Sequence, residues 1–328
     1  MTTRTHGPDF VVAPAGAAVQ AVAGMGKRFA AIDVGTNTVL LLVAERGEDG
    51  TFSAVEERME ITRLGRGVDR TRTLAPGAIT DTVEAVERFA RAARAAGAED
   101  LVLTATSAAR DASNGAAFLR AAQEAAGVPA HVLSGDEEAA LVWESARRDF
   151  GRPGRSLAVV DVGGGSTELV YGVGEKRIYA RSFDVGAVRM TERWLRGDPP
   201  QPEELRALRA DLAGQLAELP PPPPGATLVG IAGTVTTLVA IHLGLRTWDG
   251  RRVHGFVLGL DDVRRLAARL ASMPVGERRA LPGLPPKRAD VIVAGAEILA
   301  AVMERIGAGA VTASDRGVRW GMLYRRFG

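Results

Sequence analysis

The chain has 328 residues, 46% of them hydrophobic and 24% charged, with a net charge of +2. A chain of this length buries a full core without metal or disulfide staples, and it divides most naturally into two domains. Cysteine is absent, which excludes disulfides, thiolate catalysis and zinc–thiolate sites and fits a reducing, cytoplasmic setting; His6, His131, His242 and His254 are not spaced as a metal-binding pair.

Residues 1–27 are rich in Ala, Gly and Val, Pro14 interrupts them, and a strand follows at once. They are read as a disordered tail or a mis-called start, outside the fold. No apolar run is long enough to span a bilayer. The first strand–loop–strand, 29–43, is an apolar run ending in Asp33-Val34-Gly35-Thr36-Asn37-Thr38, then a second apolar run. A helix is expected over 76–96 with Gly97 as its stop, then a strand over 101–106, a helix over 116–126 and a short strand over 130–133. Ser134 and Glu137 have the spacing of a capping box, so Ser134 opens another helix. After a turn at Arg152-Pro153-Gly154, residues 157–171 repeat the first pattern as Asp161-Val162-Gly163-Gly164-Gly165-Ser166-Thr167-Glu168 between apolar strands.

Leu205, Leu208, Leu212, Leu216 and Leu219 mark one helical face, which Pro220–Pro224 ends as a stiff connector. A buried strand follows over 228–231, and Gly233 leads into a helix that ends near 243. Two more helices are expected near 261–273 and 287–306, then a strand over 310–314 and a basic helix over 316–327. Strands alternating with helices, and one hairpin used twice a domain-length apart, predict an α/β protein of two related domains with a cleft between them. Domain I takes 28–136, with 312–328 returning to it, and domain II takes 137–311.

Glycine-bearing loops let backbone N–H groups converge on an anion. Thr36, Asn37, Thr38, Ser166 and Thr167 add short donors. Asp33 and Asp161 end strands at these loops, where a carboxylate can hold a hydrated Mg²⁺. Asp and Gly at one hairpin are ordinary turn residues; two matched loops in one chain point to phosphate. A third segment, Gly230-Ile231-Ala232-Gly233-Thr234-Val235-Thr236-Thr237, joins a strand to a helix whose N-terminus suits a phosphate or nucleotide. The Gly-x-x-x-x-Gly-Lys-Ser/Thr pattern is missing, so P-loop chemistry is excluded.

In order along the chain, 31–38, 161–168 and 230–237, supported by 105–111, 288–295 and 314–319, resemble the exopolyphosphatase / guanosine pentaphosphate phosphohydrolase (Ppx/GppA) family in its short two-domain form. The resemblance runs from about Phe29 onward. It implies the actin-like ATPase fold shared with Hsp70 and the acetate and sugar kinases. It implies that Glu138 orients and deprotonates an attacking water, that Asp161 and Glu168 place metal and water, and that Arg110 contacts phosphate. With Asp33, these two carboxylates would be the metal ligands. Gly35–Thr38 and Gly163–Thr167 would be the two phosphate loops, and Gly233 and Thr234 a third phosphate contact. Arg189 is expected near the phosphate chain, and Arg316, Arg319, Arg325 and Arg326 to draw in a polyanion or to act structurally. The implied reaction is Mg²⁺-dependent (or other divalent-cation-dependent) release of terminal orthophosphate from polyphosphate, with pppGpp the alternative substrate. A phosphate- or nucleotide-binding sensor on the same fold is the reading from another class. A cytoplasmic homodimer with no nucleic-acid or membrane partner is expected. Larger members carry a further histidine- and aspartate-rich helical domain, for which this chain has too few histidines.

Overall fold

The computed structural model describes residues 26–328. The expectation for residues 1–25 lies outside the described residues. The first half of the chain runs β1 (Arg28–Val34), β2 (Val39–Arg46), β3 (Phe52–Glu60), α1 (Val68–Thr71), α2 (Pro76–Ala95), β4 (Ala98–Ala105), α3 (Ser107–Asp111), α4 (Gly115–Ala126) and β5 (Ala130–Val132). Helix α5 (Gly135–Phe150) then leads into β6 (Ser156–Val162), β7 (Thr167–Val173), β8 (Lys176–Phe183), α6 (Ala187–Trp194), α7 (Pro202–Gln215), β9 (Thr227–Ile231) and α8 (Ala232–His242). The rest is α9 (Gly250–Val253), β10 (Val257–Gly259), α10 (Leu260–Ala271), α11 (Val275–Arg278), α12 (Ile292–Arg305), β11 (Ala310–Ala313) and α13 (Val318–Phe327).

The duplication seen in the sequence is a duplication of topology. One sheet has the order β3-β2-β1-β4-β5 and the other β8-β7-β6-β9-β11-β10. In each, the first strand pairs antiparallel with the second (β1/β2, β6/β7) and parallel with the strand beyond (β1/β4, β6/β9). The second sheet adds β10 as an antiparallel edge. Residues 312 and 313 lie in β11 of this second sheet.

Strand alternation sets which face each residue serves. Along β1, Ala30, Ile32 and Val34 pack with α2 and α4, while Ala31 faces a middle layer made by α5 and α13. Along β6, Ala158, Val160 and Val162 pack with α7, α8, α10 and α12, while Leu157 and Val159 face the same middle layer. Asp33 and Asp161 share parity with Ala31 and Val159, so both carboxylates are carried toward the middle of the molecule.

Local signals explain most helix ends. Pro76 sits at the start of α2, and Gly97 beyond its end has φ +80°. Ser134 and Glu137 form the capping box on α5. Helix α7 stops at Gln215, before Leu216 and Leu219; both are still buried, as the apolar face required. One expected element is corrected. Residues 287–306 are not one helix: Pro286–Arg288 form a 3₁₀ turn and α12 begins only at Ile292. The break places the Arg288 side chain on the first turn of α8, where it donates to the Gly233 carbonyl at 3.0 Å and to Thr237 Oγ1 at 2.9 Å.

Candidate active site

The two glycine loops close equivalent hairpins. Gly35 donates to the Thr38 carbonyl at 2.9 Å, and Gly163 to the Ser166 carbonyl at 3.1 Å. Their carbonyls are tied backward. Those of Thr36 and Asn37 accept from Gly65 and Arg63, and those of Gly163 and Gly164 accept from Ala187 and Val188. In a trans peptide, C=O and the following N–H point in opposite directions. The N–H groups of Asn37 and Thr38, and of Gly164 and Gly165, are therefore turned away from their supports, and no described group accepts from them. This is the arrangement of an anion nest, made twice.

The loops meet across one cleft of about 240 Å³. Thr36 Oγ1 and Ser107 Oγ lie 2.8 Å apart, and a Cβ on Gly165 would stand 2.2 Å from that Ser107 oxygen. Glycine is needed here for close approach between the halves as well as for the nest. The cleft is lined by Asp33, Gly35, Thr36, Asn37, Thr38, Glu138, Asp161, Gly163, Gly164, Gly165, Ser166, Gly233 and Thr234, so most of the expected site residues come together. Three do not line it. Thr167 donates to the Val185 carbonyl at 2.6 Å and has a structural role. Glu168 is fully buried behind the loop, opposite Asp161 on β6 and Ser182 on β8, and accepts from Ser182 Oγ at 2.7 Å. Arg110 sits to one side; it donates to the Leu133 carbonyl at 2.7 Å and pairs with Glu138 Oε2 at 3.5 Å.

Glu138 lies in the capped first turn of α5 and is 8% exposed. The middle layer around α5 buries it. Burial, then the negative charges of Glu168, Asp161 and Asp33, hold its carboxyl well above the usual range, against the Arg110 guanidinium. Burial also raises Asp33 to about 6, opposed by Arg319 and Thr104. It raises Glu168 to about 7, opposed first by the Ser182 and Ser166 hydroxyls. Asp161 is pushed up by burial and by the charges of Glu168 and Asp33.

This carboxylate group suits a hard cation. Buried Glu138 Oε2 and Glu168 Oε2 have no hydrogen-bond partner, and every candidate donor is a carboxylate oxygen. Among the described residues no three such groups converge as a ligand set. A divalent ion here would use one or two of these carboxylates, with the remaining positions filled by water and substrate oxygens, as Mg²⁺ commonly does.

Several functional side chains were not assigned from the sequence. Arg288 lines the cleft with no carboxylate against it, and burial lowers it to about 10. Arg319, expected to draw in a polyanion or to act structurally, also lines the cleft and donates to the Leu41 carbonyl at 2.7 Å. Both stood in the quoted segments, but nothing local told a cleft arginine from a surface one. Ser107 and Ser182 gave no signal, because their roles depend on pairing across the fold. The apolar side chains of Leu40, Met59, Leu245, Trp248 and Ile292 also line the cleft.

A sequence profile of the Ppx/GppA phosphatase family matches residues 42–328. The chain belongs to this family. It is 37% identical over 308 residues to Exopolyphosphatase 2 of Mycobacterium tuberculosis, covering 89% of this chain and 96% of that one. Among solved structures, an exopolyphosphatase-like protein superposes with a TM-score of 0.86 at 31% identity, covering 91% of this chain and 97% of that one. The Ppx/GppA protein of Aquifex aeolicus does so with a TM-score of 0.77 at 31% identity, covering 91% and 97%. The two-sheet architecture is thus the actin-like ATPase fold of the family.

Of the remaining basic residues, Arg189 does not reach the cleft; it pairs with Asp69 and Asp111. Arg316 pairs with Asp149 at 2.8 Å and lies over the Trp320 ring. His254 Nδ1 stands 2.9 Å from Asp315 Oδ1. No described helix is long and apolar enough to cross a membrane.

Proposed function

We propose that this protein is an exopolyphosphatase that hydrolyses the terminal phosphoanhydride bond of inorganic polyphosphate. The observation that carries the reading is the pair of opposed amide nests around one buried glutamate, Glu138. Phosphoryl transfer needs positioning and charge neutralisation more than covalent chemistry, and this cleft offers both. The nests and Arg288 hold chain oxygens. Arg110 orients Glu138 and faces the same region. Glu138 holds the attacking water and takes its proton as the water oxygen bonds to the terminal phosphorus and the bridging P–O bond breaks. One orthophosphate and a chain shorter by one unit result. Its raised proton affinity suits Glu138 to the role of base, once bound cationic groups offset its acidic neighbours. Mg²⁺ or another divalent ion, held by one or two of Asp33, Asp161 and Glu168, would neutralise charge on the phosphoryl oxygens.

A second reading, pppGpp 5′-phosphohydrolase, is favoured by Trp248 and the other apolar side chains that line the cleft, which polyphosphate would leave unused. We further propose that the halves 28–136 and 137–311 move as bodies that close on substrate, and that the protein works as a cytoplasmic homodimer. The test is orthophosphate release with Mg²⁺ from polyphosphate and from pppGpp. Faster release from polyphosphate supports the first reading, and faster release from pppGpp overturns it in favour of the second.

A further inference from the structure

The second amide nest is supported by one helix, α6. Its first amides hold the carbonyls of Gly163 and Gly164, from Ala187 at 2.9 Å and Val188 at 2.8 Å. The third carbonyl, of Gly165, is held by a side chain: Arg189 Nε donates to it at 2.7 Å. By the same peptide geometry, fixing the Gly165 carbonyl turns the Ser166 N–H the other way. Ser166 lines the cleft, and its N–H has no acceptor among the described residues.

The rest of the Arg189 guanidinium reaches into the first half. Nη1 donates to Asp69 Oδ1 at 2.8 Å, and Nη2 donates to Asp111 Oδ2. Arg189 is 8% exposed, so these are desolvated, charge-assisted contacts. Around it, Arg193 also pairs with Asp69, and Glu192 accepts from the Gly67 amide at 2.9 Å. Both acceptors of Arg189 adjoin the site. Asp111 follows Arg110, the partner of Glu138. Asp69 follows the segment in which Arg63 and Gly65 hold the first loop's carbonyls. One guanidinium therefore touches the backbone of the second loop and two segments that support the opposite side of the cleft.

We infer that Arg189 is a positioning residue that couples approach of the two halves to formation of the second amide nest. It does not contact substrate. With the clasp made, the Gly165 peptide is fixed with its following amide toward the cleft; with the halves apart, Nε loses the two carboxylates that aim it. The inference rests on the phosphoanhydride-hydrolase reading of the cleft. A planar fork is required, because three acceptors in different directions must be met at once, and a lysine cannot replace it.

The experiment compares wild type with Arg189→Lys and Asp69→Asn, using tripolyphosphate as probe. Binding is measured calorimetrically in a Glu138→Gln background, and KM and kcat in the active background. If the competent conformation is less populated, affinity falls by that fraction while turnover at saturation persists. Arg189→Lys is expected to raise Kd and KM about tenfold with kcat within about threefold of wild type. Asp69→Asn should act in the same direction, and the double variant should be no worse than Arg189→Lys alone, since both break one unit. Unchanged Kd and KM in folded Arg189→Lys would overturn the inference, as would lost kcat at unchanged KM. If Arg189→Lys does not fold, Asp69→Asn decides by the same criteria. Absence of turnover in wild type would refute the hydrolase reading alone, because the binding arm still tests the clasp.

Discussion

Glu138 shows what burial does to a carboxylate recognisable by its sequence context. The capping box of Ser134 and Glu137 was legible, and so was the matching motif around Glu138. Its burial was not, because that depends on β1, β6 and α13 converging on α5 from distant parts of the chain. A buried carboxylate with a strongly raised proton affinity destabilises the fold at neutral pH. Glu138→Gln is accordingly expected to lower turnover by about 10²–10⁴-fold and to raise the melting temperature by roughly 2 °C or more. Phosphate release and a thermal melt check both; a lower melting temperature would contradict the electrostatic account. Asp33 and Glu168 give a pH dependence of defined sign. Their pKa values, about 6 and about 7, lie above the unfolded value of about 4. The stability they contribute is complete below the unfolded value and lost as pH rises through the folded values. In chelator, the melting temperature should fall between pH 5 and 7.5, and Mg²⁺ should reduce that fall. A melting temperature that rises over this window, or a slope indifferent to Mg²⁺, would refute the arrangement.

At the scale of elements, the hairpins, α2, α5 and α8 were readable because their signals are local: apolar runs, caps and glycine stops. The third strands β3 and β8 were not. Each is an edge strand whose exposed and half-buried positions carry charged residues, such as the half-buried Glu56 and Glu57 and the exposed Arg58 on β3, so no apolar alternation marks it. The break before α12 was hidden for another reason: it serves Arg288, whose partners lie on α8. A Cβ on Gly233 would stand 2.5 Å from the Arg288 guanidinium carbon. Gly233→Ala is therefore expected to displace Arg288 and raise KM for polyphosphate about tenfold or more, the value of one charge-assisted contact. Steady-state kinetics test this, and an unchanged KM would remove Arg288 from substrate binding. Ser134→Ala removes the cap beneath Glu138 and should cost about 1 kcal/mol, read from denaturant unfolding.

For the whole molecule, the duplicated topology explains why the site lies where it does. Each half contributes an aspartate and a glycine loop at the same point of its sheet, and the middle layer brings α5 between them. Contacts across the cleft join the halves: Arg63 pairs with Asp290 at 3.0 Å, and Arg288 Nη2 approaches Met59 Sδ at 3.2 Å. Closure on substrate should make the X-ray scattering profile more compact when tripolyphosphate binds, and identical profiles would count against it. The central claim, that Glu138 and two amide nests hydrolyse a terminal phosphoanhydride, is tested most directly by orthophosphate release from polyphosphate in Mg²⁺, with Glu138→Gln alongside. The account predicts steady release by the wild type and almost none by the variant. Release undiminished in Glu138→Gln, or none from the wild type despite measurable binding, would contradict it.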